Sequence, residues 1–505
     1  MIIIIDFGSQ TAHLISRRIN DFGIQTKIIE PKDSRKLLKD KQVKGIILSG
    51  GPASVYAKGA PTVDKKIYQL GVPILGICYG MQLTAYLLNG QVKPGKTKEY
   101  GPATLMLNKK SAILNSLPQN SQVWMSHGDV VTKPPAGFSL VAGTAGVKTG
   151  VMTDEKKKIY CIQFHPEVEH TEYGNLVLKN FVAACGFGLS RSKIDVPQII
   201  RRIKNKIGPA KAIAAVSGGL DSTVAATLVG QAIGKNLIPI HIDSGLMRPG
   251  TTERVINYFE KKLKIKPIII RAQNEFLSRL KGVTEPEQKR KIIGKLYIDL
   301  FEKKLKSIPN IKYLVQGTIY SDVIESRGTK HAANIKSHHN VGGLPKNMKL
   351  ALVEPIREFY TDQVREIAKK IKIPAEIIND QPHPGPGYAI RVIGAMDKQR
   401  LAMITTADNI VIEEMKKSGW YGKVLHSFAI LTNTKSTAVK GDGRNYGEVV
   451  AIRSIVSKDR MTGDWAPLPY ELLQKMSSRI VNEIPGVSRV VYDITTKPPA
   501  TMEWE

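Results

Sequence analysis

The feature that most constrains this chain is a glycine-containing turn between an apolar strand and a helix, near the middle of the sequence. Residues 211–216 form an apolar run that is typical of a buried parallel strand. Residues 223–229 have the composition of a helix. Glycines between such elements let the backbone approach a phosphate, and the first N–H groups of the helix point at it. The pattern predicts an anion site made of Ser217, Gly218, Gly219, Leu220, Asp221 and Ser222.

Asp221 would repel a bare phosphate, so its predicted role is either to hold Mg²⁺ or to fix the loop. The turn lacks the Gly-Lys-Ser/Thr ending of the Walker loop, which argues against ordinary transfer of a γ-phosphate. A turn without a ligand is the alternative. The six residues resemble the pyrophosphate loop of the N-type ATP pyrophosphatases. That resemblance implies cleavage of ATP between its α and β phosphates, with the loop holding the pyrophosphate.

Length and composition predict a soluble protein of about three domains. The chain has 505 residues, of which 42% are hydrophobic and 23% charged. No stretch is long enough for a membrane span, and the apolar opening at residues 2–5 is interrupted by Asp6, which favours a core strand over a signal peptide. The three cysteines have neither metal nor disulfide spacing, so we expect a cytoplasmic location.

The charge of the chain is strongly positive. There are 74 basic and 44 acidic residues, which gives a net charge of +30. Such a field attracts polyanions. The basic residues are scattered, however, and no nucleic-acid motif with interleaved aromatic residues is present. We therefore expect nucleotide substrates and no nucleic-acid partner.

In residues 1–187, strands alternate with helices, which predicts a doubly wound sheet with its site at the carboxyl ends of the strands. Apolar runs at residues 45–48 and 72–77 each end in a glycine-containing turn. Cys78 follows the second of these runs and is flanked by small residues, as in a nucleophile elbow. The helix that begins there favours the thiolate form of a cysteine.

A cysteine nucleophile needs a histidine base and a third group that orients the base. The strand that ends before His165 can supply both, because Glu167 follows two residues later. The backbone N–H groups of Gly51 and Tyr79 are predicted to form an oxyanion hole. The alternative is that Cys78 is a small buried side chain and that His165 is a structural histidine.

Four motifs of this first domain resemble those of the class I glutamine amidotransferases. They are Ser-Gly-Gly-Pro at 49–52, Gly-Ile-Cys-Tyr-Gly-Met-Gln at 76–82, Ser-His-Gly-Asp at 126–129 and Gln-Phe-His-Pro-Glu at 163–167. The resemblance extends over nearly the whole domain. It implies hydrolysis of glutamine to glutamate and ammonia.

The same resemblance implies a role for each residue. Cys78 would attack the side-chain amide of glutamine, His165 would protonate the departing ammonia, and Glu167 would orient His165. The glutamine pocket would be lined by Gln82, His127 and Asp129.

The rest of the chain predicts two further domains. Residues 188–380 contain the pyrophosphate-type loop and a second set of alternating strands and helices. Residues 381–387 are a proline- and glycine-rich joint, and residues 381–505 have the pattern of an α+β domain. The predicted fold class is therefore α/β, with two doubly wound parallel-sheet domains and a C-terminal α+β domain.

Two segments of these domains have the composition of mobile loops. Lys336, His338 and His339 lie among glycines, which is typical of a lid that closes over phosphates or of an exposed polar loop. The polar, proline-containing tail at residues 496–505 would be disordered on composition alone.

The motifs at 384–391, 497–501 and 503–505 resemble the C-terminal dimerisation domain of the GMP synthetase family. The resemblance covers all three domains in order. It implies a homodimer, a matching lid, and an enzyme that uses glutamine, ATP with Mg²⁺, and xanthosine monophosphate (XMP) to make GMP. It also implies XMP contacts from Arg290, Lys497 and Glu503.

Other interpretations remain open from the sequence. The nearest is a different fusion of an amidotransferase with an ATP pyrophosphatase that acts on a carboxylate, as NAD synthetases do. A tRNA-thiolating pyrophosphatase would require extra cysteines, and residues 188–505 contain none. A nucleic-acid-binding protein on an inactive enzyme scaffold is supported only by the net charge.

Overall fold

The structure is a computed structural model of the 505-residue chain. It describes residues 1–9, 11–40, 42–168, 170–188, 194–326, 350–440, 443–457, 463–497 and 499–505. The chain divides into two compact units, Met1–Lys193 and Ile194–Glu505. Each unit is described separately.

The first unit is built on one nine-stranded sheet. Its strands are β1 (Ile2–Ile5), β2 (Thr26–Ile29), β3 (Gly45–Leu48), β4 (Ile74–Ile77), β5 (Gln91–Leu107), β6 (Asn120–Lys133), β7 (Ser139–Gly143), β8 (Val151–Asp154) and β9 (Ile159–Ile162). Its helices are α1 (Ala12–Asp21), α2 (Tyr79–Leu87) and α3 (Gly174–Ala184), with shorter 3₁₀ turns at Pro31–Lys39, Lys65–Gln69 and Ala112–Leu114.

The strand order in this sheet is β2-β1-β3-β4-β9-β8-β7-β5-β6. The first five strands are parallel, as predicted, and every residue of β1, β3, β4 and β9 is buried. Burial on both faces explains why these strands are continuous apolar runs. The sheet then continues into an antiparallel half that the sequence analysis did not anticipate. In that half, β6 begins with alternating exposed and buried residues, which is typical of a strand with one face covered.

The second unit contains two sheets. Its strands are β10 (Lys211–Ala215), β11 (Leu237–Asp243), β12 (Ile268–Arg271), β13 (Ile311–Val315), β14 (Ala351–Val353), β15 (His426–Lys440), β16 (Gly443–Val456), β17 (Asp464–Trp465) and β18 (Val487–Tyr492). Its helices are α4 (Val196–Ile207), α5 (Leu220–Ile233), α6 (Thr251–Asn257), α7 (Gln273–Leu280), α8 (Pro286–Leu305), α9 (Tyr320–Ser326), α10 (Thr361–Lys370), α11 (Ala375–Ile378), α12 (Lys398–Lys417) and α13 (Tyr470–Glu483). Across the described part of the whole chain, no helix has the length and apolar character needed to cross a membrane.

The larger of the two sheets in this unit is parallel, with the strand order β12-β11-β10-β13-β14. This confirms the second predicted parallel sheet. The chain order reverses at β10, whose neighbours are β11 and β13. Open α/β sheets bind ligands at the carboxyl ends of the strands beside such a reversal. The predicted anion loop follows β10 directly and therefore lies at that position.

The C-terminal sheet pairs β15 and β17 antiparallel to β16, and β18 parallel to β16. Buried residues of α12 and α13, such as Ile404 and Met476, share its hydrophobic core. The same core includes Phe276 of α7 and Ile293 of α8. This hydrophobic core thus includes residues from both sides of position 380. The predicted division into 188–380 and 381–505 stays a prediction, and so does the predicted boundary at residue 187.

Candidate active site

Cys78 lies on the turn between β4 and α2 with φ +50° and ψ −104°. Residues other than glycine rarely adopt this left-handed region, and such strain clusters at functional sites. The flanking glycines are required by close backbone contacts. A Cβ on Gly80 would lie 2.3 Å from the carbonyl oxygen of Leu48, and one on Gly76 would lie 2.7 Å from the carbonyl oxygen of Gly80. The sequence therefore forms the sharp elbow that was predicted.

His165 and Glu167 follow β9, which pairs in parallel with β4, so both strands deliver their side chains to the same edge of the sheet. Nδ1 of His165 lies 2.8 Å from Oε1 of Glu167. The Glu167 side chain is fully buried. Its Oε1 also accepts a hydrogen bond of 2.6 Å from the hydroxyl of Thr11. The Sγ of Cys78 donates to the main-chain oxygen of Ser126 at 3.6 Å, and the Cys78 side chain also acts electrostatically on His165.

The electrostatics of this group favour a charged pair. Burial alone would lower the pKa of His165, but the charge of Glu167, the hydrogen bond to Glu167 and the interaction with Cys78 raise it well above its usual value. Burial would raise the pKa of Glu167, yet the His165 charge and the hydrogen bonds from His165 and Thr11 hold it below its usual value. An imidazolium beside a thiol can hold a thiolate and can donate a proton to a leaving amine.

The predicted oxyanion hole stays a prediction. Tyr79 opens α2, where backbone N–H groups have no partner within the helix. The structure also identifies Gly50 as part of the site wall. A Cβ on Gly50 would lie 3.0 Å from the His165 ring and 3.8 Å from Cβ of Cys78. The role of Gly51 stays a prediction.

The three residues predicted for glutamine binding lie on α2 and β6. Nε2 of Gln82 donates to the carbonyl oxygen of Asp129 at 2.8 Å, and the hydroxyl of Tyr56 donates to Oδ1 of Asp129 at 2.8 Å. His127 is buried, with Nε2 3.4 Å from Oε2 of Glu99. Burial lowers the pKa of His127, which Glu99 offsets in part. No local sequence pattern marks Glu99, because its partner His127 is 28 residues away.

In the second unit, the predicted anion loop is held by its own hydroxyl groups. The backbone N–H of Ser217 donates to Oγ of Ser222 at 3.2 Å, and the two hydroxyls are 3.0 Å apart. The N–H of Gly219 donates to Oγ of Ser217 at 3.3 Å. Leu220 and Asp221 then begin α5. The first N–H groups of α5 therefore face a preformed turn, as an anion site requires.

The loop packs closely against the elements around it. Gly218 has φ +88°, and a Cβ there would lie 2.6 Å from Cγ2 of Thr251 at the start of α6. His241, on β11, is buried beneath the loop. Its Nδ1 donates to the carbonyl oxygen of Val216 at 2.7 Å, and its Nε2 lies 3.1 Å from the hydroxyl of Thr252. His241 could not be singled out from the sequence, because it lies within an apolar strand and belongs to no recognisable motif.

The predicted magnesium site depends on the carboxylate of Asp221 in the anion loop. Among the described residues, no group of three histidine, cysteine, aspartate or glutamate side chains could hold a metal ion. Mg²⁺ in nucleotide sites needs only one or two carboxylates, because the phosphates supply other ligands. Asp221 offers one carboxylate in the first turn of α5. The loop therefore fits an ion that binds together with a nucleotide.

The C-terminal tail contacts buried basic residues, although its composition alone would predict disorder. Glu503 accepts two hydrogen bonds of 3.1 Å from Arg391, which is fully buried. Glu505 accepts one of 3.1 Å from the buried Lys289, and its main-chain oxygen accepts another from Arg290. Two of the three residues predicted to contact XMP, Arg290 and Glu503, are thus engaged in tail contacts in this structure.

Lys497, the third of these residues, forms a two-bond backbone bridge with Gly463, with N···O distances of 2.8 and 3.0 Å. Arg453 is buried beside the tail and donates to the carbonyl oxygen of Thr501 at 2.8 Å. The predicted lid residues Lys336, His338 and His339 lie outside the described residues. The XMP and lid roles stay predictions.

Comparison with known proteins connects these sites to a family. A model of class-I glutamine amidotransferases matches residues 3–185, and a model of the GMP synthase C-terminal domain matches residues 413–504. The chain is 47% identical to the glutamine-hydrolyzing GMP synthase of Carboxydothermus hydrogenoformans, covering 100% of this chain and 99% of the relative. The chain belongs to the glutamine-hydrolysing GMP synthase family. Family members of the same name from Aquifex aeolicus and Clostridium tetani are 47% and 46% identical, with the same coverage.

Membership of the GMP synthase family confirms the principal predictions from the sequence. These are the recognised family, glutamine-dependent synthesis of GMP, and the class of ligase with glutaminase activity. The alternatives of a thiolating enzyme, a different ligase fusion and an inactive scaffold lose their support, because the match to GMP synthases extends over the full chain.

Proposed function

We propose that the chain makes GMP through two half-reactions, with glutamine hydrolysis in the first unit and activation of XMP in the second. The observation that carries the first half-reaction is the strained Cys78 elbow beside the His165–Glu167 pair, in which Nδ1 of His165 lies 2.8 Å from Oε1 of Glu167. The second half is supported by the preformed anion loop at the strand reversal beside β10.

In the first unit, the Cys78 thiolate attacks the amide carbon of glutamine. The resulting oxyanion is stabilised by the backbone N–H of Tyr79, with Gly51 as the proposed second donor. Collapse of this intermediate breaks the C–N bond, and His165 donates the proton that leaves with ammonia. A water molecule, activated by His165, then hydrolyses the thioester to glutamate and restores the thiol.

Glutamine itself would be held by Gln82, His127 and Asp129. Gln82 is fixed by its bond to the carbonyl oxygen of Asp129. The lowered pKa of His127 keeps its imidazole neutral at neutral pH. A neutral ring is both a donor and an acceptor, so it can bind a polar zwitterionic substrate without adding charge.

In the second unit, the C2 oxygen of XMP attacks the α-phosphorus of ATP, and pyrophosphate leaves. The leaving group would be bound by Ser217, Ser222 and the N–H groups of residues 218–222. Ammonia then displaces AMP from C2 and gives GMP. Mg²⁺ bound with ATP, held on the protein side by Asp221, would neutralise charge that builds up on the leaving group.

Four further features belong to this proposal. XMP would be bound by Arg290, Lys497 and Glu503, and the segment with Lys336, His338 and His339 would close over the nucleotide. The enzyme would be a homodimer through residues 381–505 and would act in the cytoplasm. The support for these features is the resemblance of the motifs to the family, together with the order that Arg391 and Lys289 give to the tail.

Substitution of Cys78 tests the proposal. Cys78→Ala should lower glutamine-dependent GMP synthesis by about 10³-fold or more, since removing a nucleophile of this type costs that much. Synthesis with ammonium salts should remain, because the second unit does not use the thiol. Cys185→Ala is the matched control, because Cys185 is a half-buried cysteine outside the site. Loss of ammonium-dependent synthesis in a folded Cys78→Ala enzyme would contradict the division of labour.

A further inference from the structure

We propose that Thr11 is a positioning residue of the glutaminase, whose hydroxyl fixes the carboxylate of Glu167 and, through it, the ring of His165. The inference rests on the proposed role of Cys78. The Thr11 hydroxyl donates to Oε1 of Glu167 at 2.6 Å, and this is the same oxygen that lies 2.8 Å from Nδ1 of His165. Both donors therefore converge on one oxygen of a fully buried carboxylate.

The position of Thr11 in the chain makes this contact unusual. Thr11 is the N-cap residue of α1, where a threonine hydroxyl ordinarily accepts a hydrogen bond from an N–H of the first helical turn. No such side-chain cap is present in α1. The hydroxyl points away from its own helix and donates to Glu167, which is 156 residues later in the sequence. The Thr11 hydroxyl therefore does not cap α1 and instead contacts the carboxylate of Glu167.

Hydrogen-bond chemistry fixes the donor and the acceptor between Ser9, Thr11 and Glu167. Oγ of Ser9 lies 2.9 Å from Oγ1 of Thr11 and also accepts the backbone N–H of Thr11 at 3.1 Å. An ionised carboxylate can only accept, so Thr11 must give its single hydroxyl hydrogen to Glu167. The hydrogen between the two hydroxyls must then come from Ser9. The result is a one-way series of donors from Ser9 to Thr11 to Glu167.

Helix α1 holds Glu167 at a second point. Nε of Arg18 donates to the main-chain oxygen of Glu167 at 3.3 Å. Ser9 is in turn fixed by Asp6, whose Oδ1 accepts the Ser9 backbone N–H at 2.9 Å. The beginning of the chain thus supports the carboxylate that orients His165. Because Glu167 stays ionised and fixed, it accepts the Nδ1 proton of His165 and holds the ring in one orientation.

The test compares Thr11→Val, which keeps the shape and removes the hydroxyl, with Thr11→Ser, which restores it. The readout is glutamine hydrolysis as a function of pH. In Thr11→Val, kcat should fall about tenfold with little change in KM, as expected for a lost bond to a charged group. The acid limb of its pH–rate profile should also move to higher pH, because the pKa of Glu167 rises when its ionised form loses a hydrogen-bond donor. Thr11→Ser should recover both quantities.

Ser16→Ala is the control, because Ser16 is also a buried hydroxyl of α1 but bonds to Thr26, 2.6 Å away, outside the site. Ammonium-dependent synthesis should be unchanged in all three variants. The inference is overturned if Thr11→Val keeps the wild-type pH profile, or if Thr11→Ser and Ser16→Ala are impaired as strongly as Thr11→Val. An unmodified enzyme without glutamine-dependent turnover would instead refute the proposed function of Cys78.

Discussion

Cys78 shows how one residue can report function through its backbone. A cysteine at φ +50° is unfavourable, and it persists because the surrounding glycines and the bond from its N–H to the carbonyl oxygen of Ile162, at 2.8 Å, fix the turn. The strained turn holds the buried side chain at the start of α2. The same turn places the thiol beside His165. Conformation and chemistry are therefore specified by the same few residues.

At the same scale, His241 is expected to fix the entrance of the anion loop. Burial lowers its pKa, so the ring is neutral and has one donor and one acceptor. These match the carbonyl oxygen of Val216 and the hydroxyl of Thr252. His241→Phe would leave both groups unsatisfied, and kcat/KM for ATP should fall about tenfold.

His241→Asn is the conservative comparison, because its amide can donate near the position of Nδ1 and should recover part of the loss. Glutamine hydrolysis by both variants is the internal control and should stay at the wild-type rate. If both variants turn over ATP as the wild type does, the imidazole has no positioning role.

The residues found from the sequence and those missed differ in a physical way. Cys78, His165 and the residues at 217–222 lie at strand ends, and local patterns of apolar runs and glycines identify strand ends. Thr11 and Glu99 contact partners that are distant in the chain, Glu167 and His127, and no local pattern marks them. These contacts follow only from the folded structure.

Among the elements, the turn between β10 and α5 joins a backbone requirement to a binding requirement. Its glycines, hydroxyls and helix N-terminus lie together at the reversal of strand order. Parallel strands with apolar faces on both sides could be predicted from the sequence. The antiparallel strand β6 could not, because its one-sided burial gives a weaker pattern than a continuous apolar run.

Gly218→Ala tests the geometry of this turn. Alanine at φ +88° is strained, and its Cβ would lie 2.6 Å from Cγ2 of Thr251, so the loop must move away from α6. ATP-dependent activation of XMP, followed by pyrophosphate release, should be almost abolished, while glutamine hydrolysis should continue.

Gly208→Ala is the matched control for the strain alone. Gly208 has φ +58° and lies near β10, but a Cβ there would meet no atom within 4 Å. The control should lose only about 1–3 kcal/mol of stability and keep its activity. Equal activity of the two variants would show that the shape of the loop does not matter.

At the scale of the whole molecule, one chain carries the proposed thiol nucleophile in its first unit and the proposed phosphate-binding turn in its second. The net charge of +30 has a physical use in this account, because ATP, XMP and pyrophosphate are all anions and a positive field speeds their capture. The basic residues that hold the tail, Arg391 and Lys289, are part of the same charge excess.

The most direct measurement is a single reaction of the purified enzyme with glutamine, ATP and XMP, in which all products are quantified together. The account predicts one AMP, one pyrophosphate and one glutamate for each GMP formed, because the α-phosphorus is attacked and the nitrogen comes from glutamine. Formation of ADP and inorganic phosphate in place of AMP and pyrophosphate would contradict it.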